Sequence, residues 1–113
     1  MVKLISLKKS DQFKKVLKGK KVHTDFFSIF ATKNFIKQNN QNLLISFVMK
    51  KKIGNAVKRN KIRRKLKSSV IKLLKIKGAI NKNYTYIVFG KTKCYTKNFR
   101  DLVELMNKNF RRI

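Results

Sequence analysis

KKKIGNAVKRNKIRRKLKSS, running from Lys50 to Ser69, is the stretch that decides how this chain folds. Gly54 and Asn55 punctuate it. Ahead of them Leu43 to Met49 reads as a strand, and behind them a long helix is predicted from about Asn55 to Ile76, closing near Gly78. At ~100° per residue, Ile62, Leu66, Val70 and Leu73 fall on one narrow stripe. Beside that stripe Asn60, Arg63, Arg64 and Lys67 share a sector roughly 100° wide, and Lys58, Lys61, Lys65 and Lys72 cover the remainder. One side of the helix is thus expected in a core, with a cationic ridge outside it.

The ridge carries chemistry as well as charge. Arginine offers a planar fork that grips phosphate bidentately, which lysine does not. Asn60 adds an amide donor and acceptor in the same row. At Gly54 and Asn55 a strand turns into a helix, where backbone N–H groups and the helix dipole favour a phosphate. Gly54 also permits close approach of a nucleic-acid backbone. A basic helix can be no more than a solvated face, but here the rest of the chain argues otherwise. Thirty-one Lys and Arg stand against four Asp and Glu, a net charge of +27. Such self-repulsion makes sense where a polyanion neutralises it, and phosphate binding releases condensed counterions.

Outward from this segment, the chain reads as one domain over residues 1–113. Ser10, as N-cap, and Asp11 start a first helix that carries Phe13, Val16 and Leu17 and closes at Gly19. Strands are predicted at Lys21 to Thr24, Phe26 to Ala31, Leu43 to Met49 and Tyr84 to Gly90, with a polar loop from Lys33 to Asn42. Phe26, Ser28 and Phe30 share one face of their strand, and Phe27, Ile29 and Ala31 the other. A last helix spans Asn98 to Arg111, with Thr96 or Lys97 near its start. The fold class is α+β: a small mixed four-stranded sheet packed with about three helices.

Composition excludes several functions. One cysteine, Cys94, and one histidine, His23, cannot build a Cys-rich zinc site or a His-based triad. Asp101 and Glu104 can share a helix face but read as solvated acids, not as a metal pair. No catalytic residue and no protein-held metal is expected. No apolar run is long enough to span a bilayer, and Met1 to Ser10 does not read as a signal peptide. Neither a membrane nor a dinucleotide is expected as partner.

The spaced set Lys52, Gly54, Asn55, Ala56, Val57, Arg59, Asn60, Arg63, Arg64 and Lys67 resembles the signature of the bacterial ribonuclease P protein family. The resemblance extends more weakly to Leu4–Gly19, Phe26–Phe30 and Tyr84–Lys91. It implies a left-handed strand–helix–strand crossover around the signature helix. It implies the protein subunit of a cytoplasmic bacterial ribonucleoprotein whose RNA removes the 5′ leader from precursor tRNA. Magnesium would be held mainly by the RNA and substrate. On that resemblance the catalytic RNA docks on Lys51, Lys52, Gly54, Asn55, Arg59, Asn60, Arg63, Arg64 and Lys67. The single-stranded leader occupies a cleft carrying Phe13, Leu17, Ser28, Phe30 and Val48, with Arg59, Asn60 and Arg63 at its edge. The sequence departs from the family pattern at Leu17, where a second aromatic is common, at Thr24–Asp25, at Lys50, and at Lys67, where arginine is usual. Unpaired bases can stack on Phe13 and Phe30, although from the residues alone these phenylalanines, like Tyr84, Tyr86 and Tyr95, read first as core. A ribosomal or other structural RNA-binding protein is the alternative of like size and charge. A polycation on a membrane surface or nucleoid is a third reading, but it calls for an exposed apolar helix face.

Overall fold

The alternation read in the strand around Ser28 governs the architecture, because it gives the sheet two buried faces. The computed structural model describes residues 2–36 and 42–113. In chain order the elements are β1 (Lys3–Ile5), α1 (Ser10–Leu17), β2 (Lys20–His23), β3 (Phe27–Lys33), β4 (Asn42–Val48), α2 (Ala56–Leu73), β5 (Tyr84–Gly90) and α3 (Phe99–Phe110). Short 3₁₀ turns at Lys51–Ile53 and Thr92–Thr96 precede α2 and α3.

Among the described residues the sheet has five strands in the order β1-β4-β5-β3-β2, where four were expected. The additional strand, β1, runs parallel to β4, with Leu4 opposite Leu43. β4 and β5 are parallel neighbours joined through α2, while β5–β3 and β3–β2 are antiparallel. Two helix boundaries also differ from expectation. Lys9, not Ser10, is the N-cap of α1, where the Gln12 side chain accepts from the Lys9 backbone N–H. α2 ends at Leu73, and turns carry the chain on to Gly78. Asn98, the expected start of the last helix, caps α3, accepting from the N–H groups of Arg100 and Asp101. Of the predicted loop, Lys33 and Asn42 are strand residues, and residues 37–41 lie outside the described residues.

On one sheet face Phe27, Ile29, Leu43, Ile45, Tyr86 and Val88 meet the stripe Ile62, Leu66, Val70 and Leu73 of α2, together with Leu102, Met106 and Phe110 of α3. The four stripe residues are fully buried, each worth roughly 1.5–3 kcal/mol of transfer free energy. On the opposite face Val16 of α1 packs with Leu7, Leu44 and Ile87 in a smaller core. Because α1 is only eight residues long, it covers part of that face, and the end of the sheet beside its C-terminus stays open.

Candidate nucleic-acid interface

Two features stand next to each other: the outer flank of α2 and the open end of the sheet face that carries α1. The 3₁₀ turn between β4 and α2 joins them. Gly54 closes this turn at φ 152°, a conformation that disfavours any side chain. Asn55 then caps α2, its Oδ1 accepting from the Lys58 N–H at 2.9 Å. Arg59 reaches back from the next turn, and its Nη1 donates to the Gly54 carbonyl at 2.6 Å. The signature therefore holds its own strand-to-helix junction in place. Asn55→Ala is expected to cost about 1 kcal/mol in urea unfolding, while Asn55→Asp, which keeps the acceptor, retains most of it. Equal losses in the two variants would mean that the cap is not what Asn55 contributes.

The cations of α2 divide into two groups. Lys65 turns inward, and its amine donates to the carbonyls of Cys94, Tyr95 and Lys97 at the end of the second 3₁₀ turn. Desolvation there lowers its pKa, the nearby Lys61 charge adds to the shift, and Cys94 opposes it. Burial in turn pushes the Cys94 thiol up to about 11, so it is an un-ionised packing group at neutral pH. Lys58 and Lys61 place their amines 5.2 and 4.7 Å from the Tyr95 ring centre, and Lys72 lies over Phe99. These four lysines, read from the sequence as the rest of the ridge, face the α3 side of the molecule. Asn60, Arg64 and Lys67 are exposed on the other flank, and Arg63 is half-buried. Arg63 Nη1 donates to Asn60 Oδ1 at 2.8 Å, which ties the two side chains into one unit.

The open end of the sheet is a cleft of about 450 Å³. Leu17, Ser28 and Phe30 are among the residues that line it. Phe30 is held edge-on by Phe89, with ring centres 5.4 Å apart at 77°, and by His23 at 5.7 Å and 80°. Lys50, Lys52 and Lys91 supply the cations of the wall. Lys50 lies over the Phe89 ring at 5.7 Å, and Lys91 donates to the Thr24 carbonyl.

The remaining residues assigned to the cleft stand elsewhere. Phe13 and Val48 are half-buried against the smaller core, as Leu17 and Phe30 are, but are not among the residues that line the cleft. Arg59, Asn60 and Arg63, expected at its edge, stand on α2 outside its lining. Conversely, Lys52, expected to contact the catalytic RNA, lines the cleft, and Lys51 is exposed beside it on the same turn. His23, Phe89, Lys50, Lys91 and Thr92 were missed. Alternation along β5 from Ile87 to Phe89 was the one signal that could have found Phe89.

Among the described residues no three His, Cys, Asp or Glu side chains gather as a metal site, and no helix is long and apolar enough to cross a membrane.

Comparison with known proteins agrees with the signature. A ribonuclease P protein component of Bacillus cereus strain AH187 is 29% identical over 113 residues, covering 99% of this chain and 93% of its own length. One from Bacillus anthracis strain CDC 684 is 29% identical, with 99% and 90% covered. Among solved structures, the RNase P protein from Thermotoga maritima superposes with a TM-score of 0.74 at 23% identity, over 96% of this chain and 97% of its own. The Staphylococcus aureus RNase P protein gives 0.70 at 23% identity, over 95% and 92%. The family model described as Ribonuclease P matches residues 1–113, and the chain belongs to that family.

Proposed function

We propose that this chain is the RNA-binding protein subunit of ribonuclease P and that it assists the catalytic RNA in removing the 5′ leader from precursor tRNA. The observation that carries this reading is the family match over residues 1–113 in a chain whose signature side chains stand on an exposed flank of α2. A structural RNA-binding role without processing has no comparable support. In our reading Asn60, Arg63, Arg64 and Lys67 grip phosphates of the catalytic RNA. Arg59 shares in this while bracing the Gly54 turn, and Lys51 and Lys52 extend the contact toward the cleft. The cleft takes the unpaired leader: Phe30 offers a fixed ring for a base, and Lys50, Lys52 and Lys91 offset the phosphate charge.

The chain itself is not the catalyst in this account. Magnesium, bound mainly by the RNA and the substrate, would activate water and stabilise the leaving oxygen. The protein's part is to hold the leader in register and to screen phosphate repulsion in the assembled particle. The place of action is the bacterial cytoplasm, where precursor tRNA is made.

The test is reconstitution. Purified protein, a bacterial ribonuclease P RNA and precursor tRNA are combined at low magnesium. Accurate 5′ maturation is expected only with the RNA present, and specific cleavage by the RNA-free protein overturns the division of labour. In the same system Phe30→Ala is expected to weaken precursor tRNA binding by ~1–3 kcal/mol and to leave mature tRNA unaffected. Equal losses for both would assign Phe30 to packing with Phe89 and His23 and remove the leader from the cleft.

A further inference from the structure

A hydrogen-bonded pair of side chains on the cleft wall is not needed for anything described so far. His23 on β2 and Ser28 on β3 are direct cross-strand partners. Nδ1 of His23 lies 2.8 Å from Ser28 Oγ. Ser28 is only 4% exposed, so its hydroxyl is a fixed anchor on the cleft floor. The imidazole is held on a second side by its edge-on contact with Phe30, which Phe89 steadies in turn. Position and tilt of the imidazole are thus set before any ligand arrives.

A hydrogen bond at Nδ1 leaves Nε2 as the nitrogen that can meet a ligand, donating in one tautomer and accepting in the other. The other recognition groups of the cleft do not discriminate between nucleotides. Lysine amines attract any phosphate, and aromatic rings stack on any base. Apart from the exposed hydroxyl of Thr92, the directional polar group on this wall is His23. It adjoins the ring on which a base would lie, and unpaired bases present their Watson–Crick edges to such groups.

We propose that His23, oriented by Ser28, reads the edge of the leader base stacked on Phe30 and sets the sequence preference of the cleft. The inference rests on the cleft being the leader site. Ser28 acts through His23 and is a positioning residue.

The experiment measures equilibrium binding by the reconstituted ribonucleoprotein of precursor tRNAs that carry each of the four bases at each unpaired leader position in turn, with mature tRNA alongside. The wild type is expected to show a spread of about tenfold among the four bases at one position, the size of one hydrogen bond. His23→Phe keeps a ring but removes Nε2, and it should narrow that spread to within about twofold without changing the affinity for mature tRNA. His23→Gln should retain a spread, because its amide is directional. Ser28→Ala should narrow the spread partly, since the ring loses its anchor but not its position on Phe30. An undiminished spread in His23→Phe, or no spread at any position in the wild type, overturns the proposal. If the wild type binds precursor and mature tRNA equally well, the leader reading of the cleft falls instead, and the two failures are told apart by that single comparison.

Discussion

Replacing Arg59, Arg63 and Arg64 together with alanine is expected to lower the affinity for ribonuclease P RNA by ~10²–10³-fold at moderate salt. Hydrogen bonds to charged groups are worth ~1.5–3 kcal/mol each, and the low end is appropriate for neighbouring side chains that do not act independently. The salt dependence separates this from unfolding. Removing the cation that neutralises one phosphate should reduce the slope of log K against log salt by a little under ~1, so the triple variant should be shallower by about two to three. The single variants should differ among themselves. Arg64 is exposed and should act through RNA alone, whereas Arg59 also holds the Gly54 carbonyl and Arg63 holds Asn60. Arg59→Ala should therefore loosen the turn before α2 as well as remove a cation. Arg63→Lys preserves the charge and most of the slope but gives up the planar fork, and its loss of affinity measures the bidentate component. An unchanged slope in the triple variant, with circular dichroism showing the fold intact, would rule out this flank of α2 as the docking surface.

How much of the fold and the site is legible in the sequence depends on whether the signal is local. The stripe Ile62, Leu66, Val70 and Leu73 repeats over an 18-residue helix, long enough for its period to identify the buried side. The alternation around Ser28 likewise separates the face under α2 from the face under α1. β1 escapes such a reading because three residues, Lys3–Ile5, cannot display a period, and a distant segment, β4, makes them a strand. Lys65 shows the limit of reading charge from a helical wheel. A wheel places its amine outside, but the amine is drawn onto three carbonyls contributed by a later turn.

The cleft is half legible for a related reason. Phe30 and Ser28 lie on one strand and can be paired by alternation, whereas His23, Phe89 and Lys50 arrive from three other segments. Only the register places His23 and Phe89 beside them, with His23 opposite Ser28 and Ser28 opposite Phe89. Counting histidines excludes a triad but is silent about where the one histidine stands.

The second large effect concerns the free protein and follows from its charge. Net charge +27 is confined to a body 36 × 31 × 23 Å across. At ~0.01 M ionic strength the Debye length is about 30 Å, so cations throughout the molecule repel one another; at ~0.1 M it is about 10 Å, and only near neighbours do. Unfolding spreads the charges and relieves the repulsion, and the margin of a small domain is only about 5–15 kcal/mol. Thermal unfolding in dilute buffer should therefore occur at a low temperature and rise with sodium chloride. Sulfate at the same ionic strength should raise it further. It can bind the folded state where cations and backbone dipoles converge, as at the Gly54–Asn55 start of α2 beside Lys51 and Lys52. One such site, at a hundred times its dissociation constant, adds about 2.7 kcal/mol. For a domain of this size that corresponds to ~10 °C or more in the midpoint. Equal stabilisation by the two salts would mean screening without anion sites. Lys51 and Lys52 replaced together by alanine should reduce the additional effect of sulfate while leaving that of chloride. A midpoint that falls as either salt is added would overturn the repulsion argument itself, because screening can only relieve an excess of like charge.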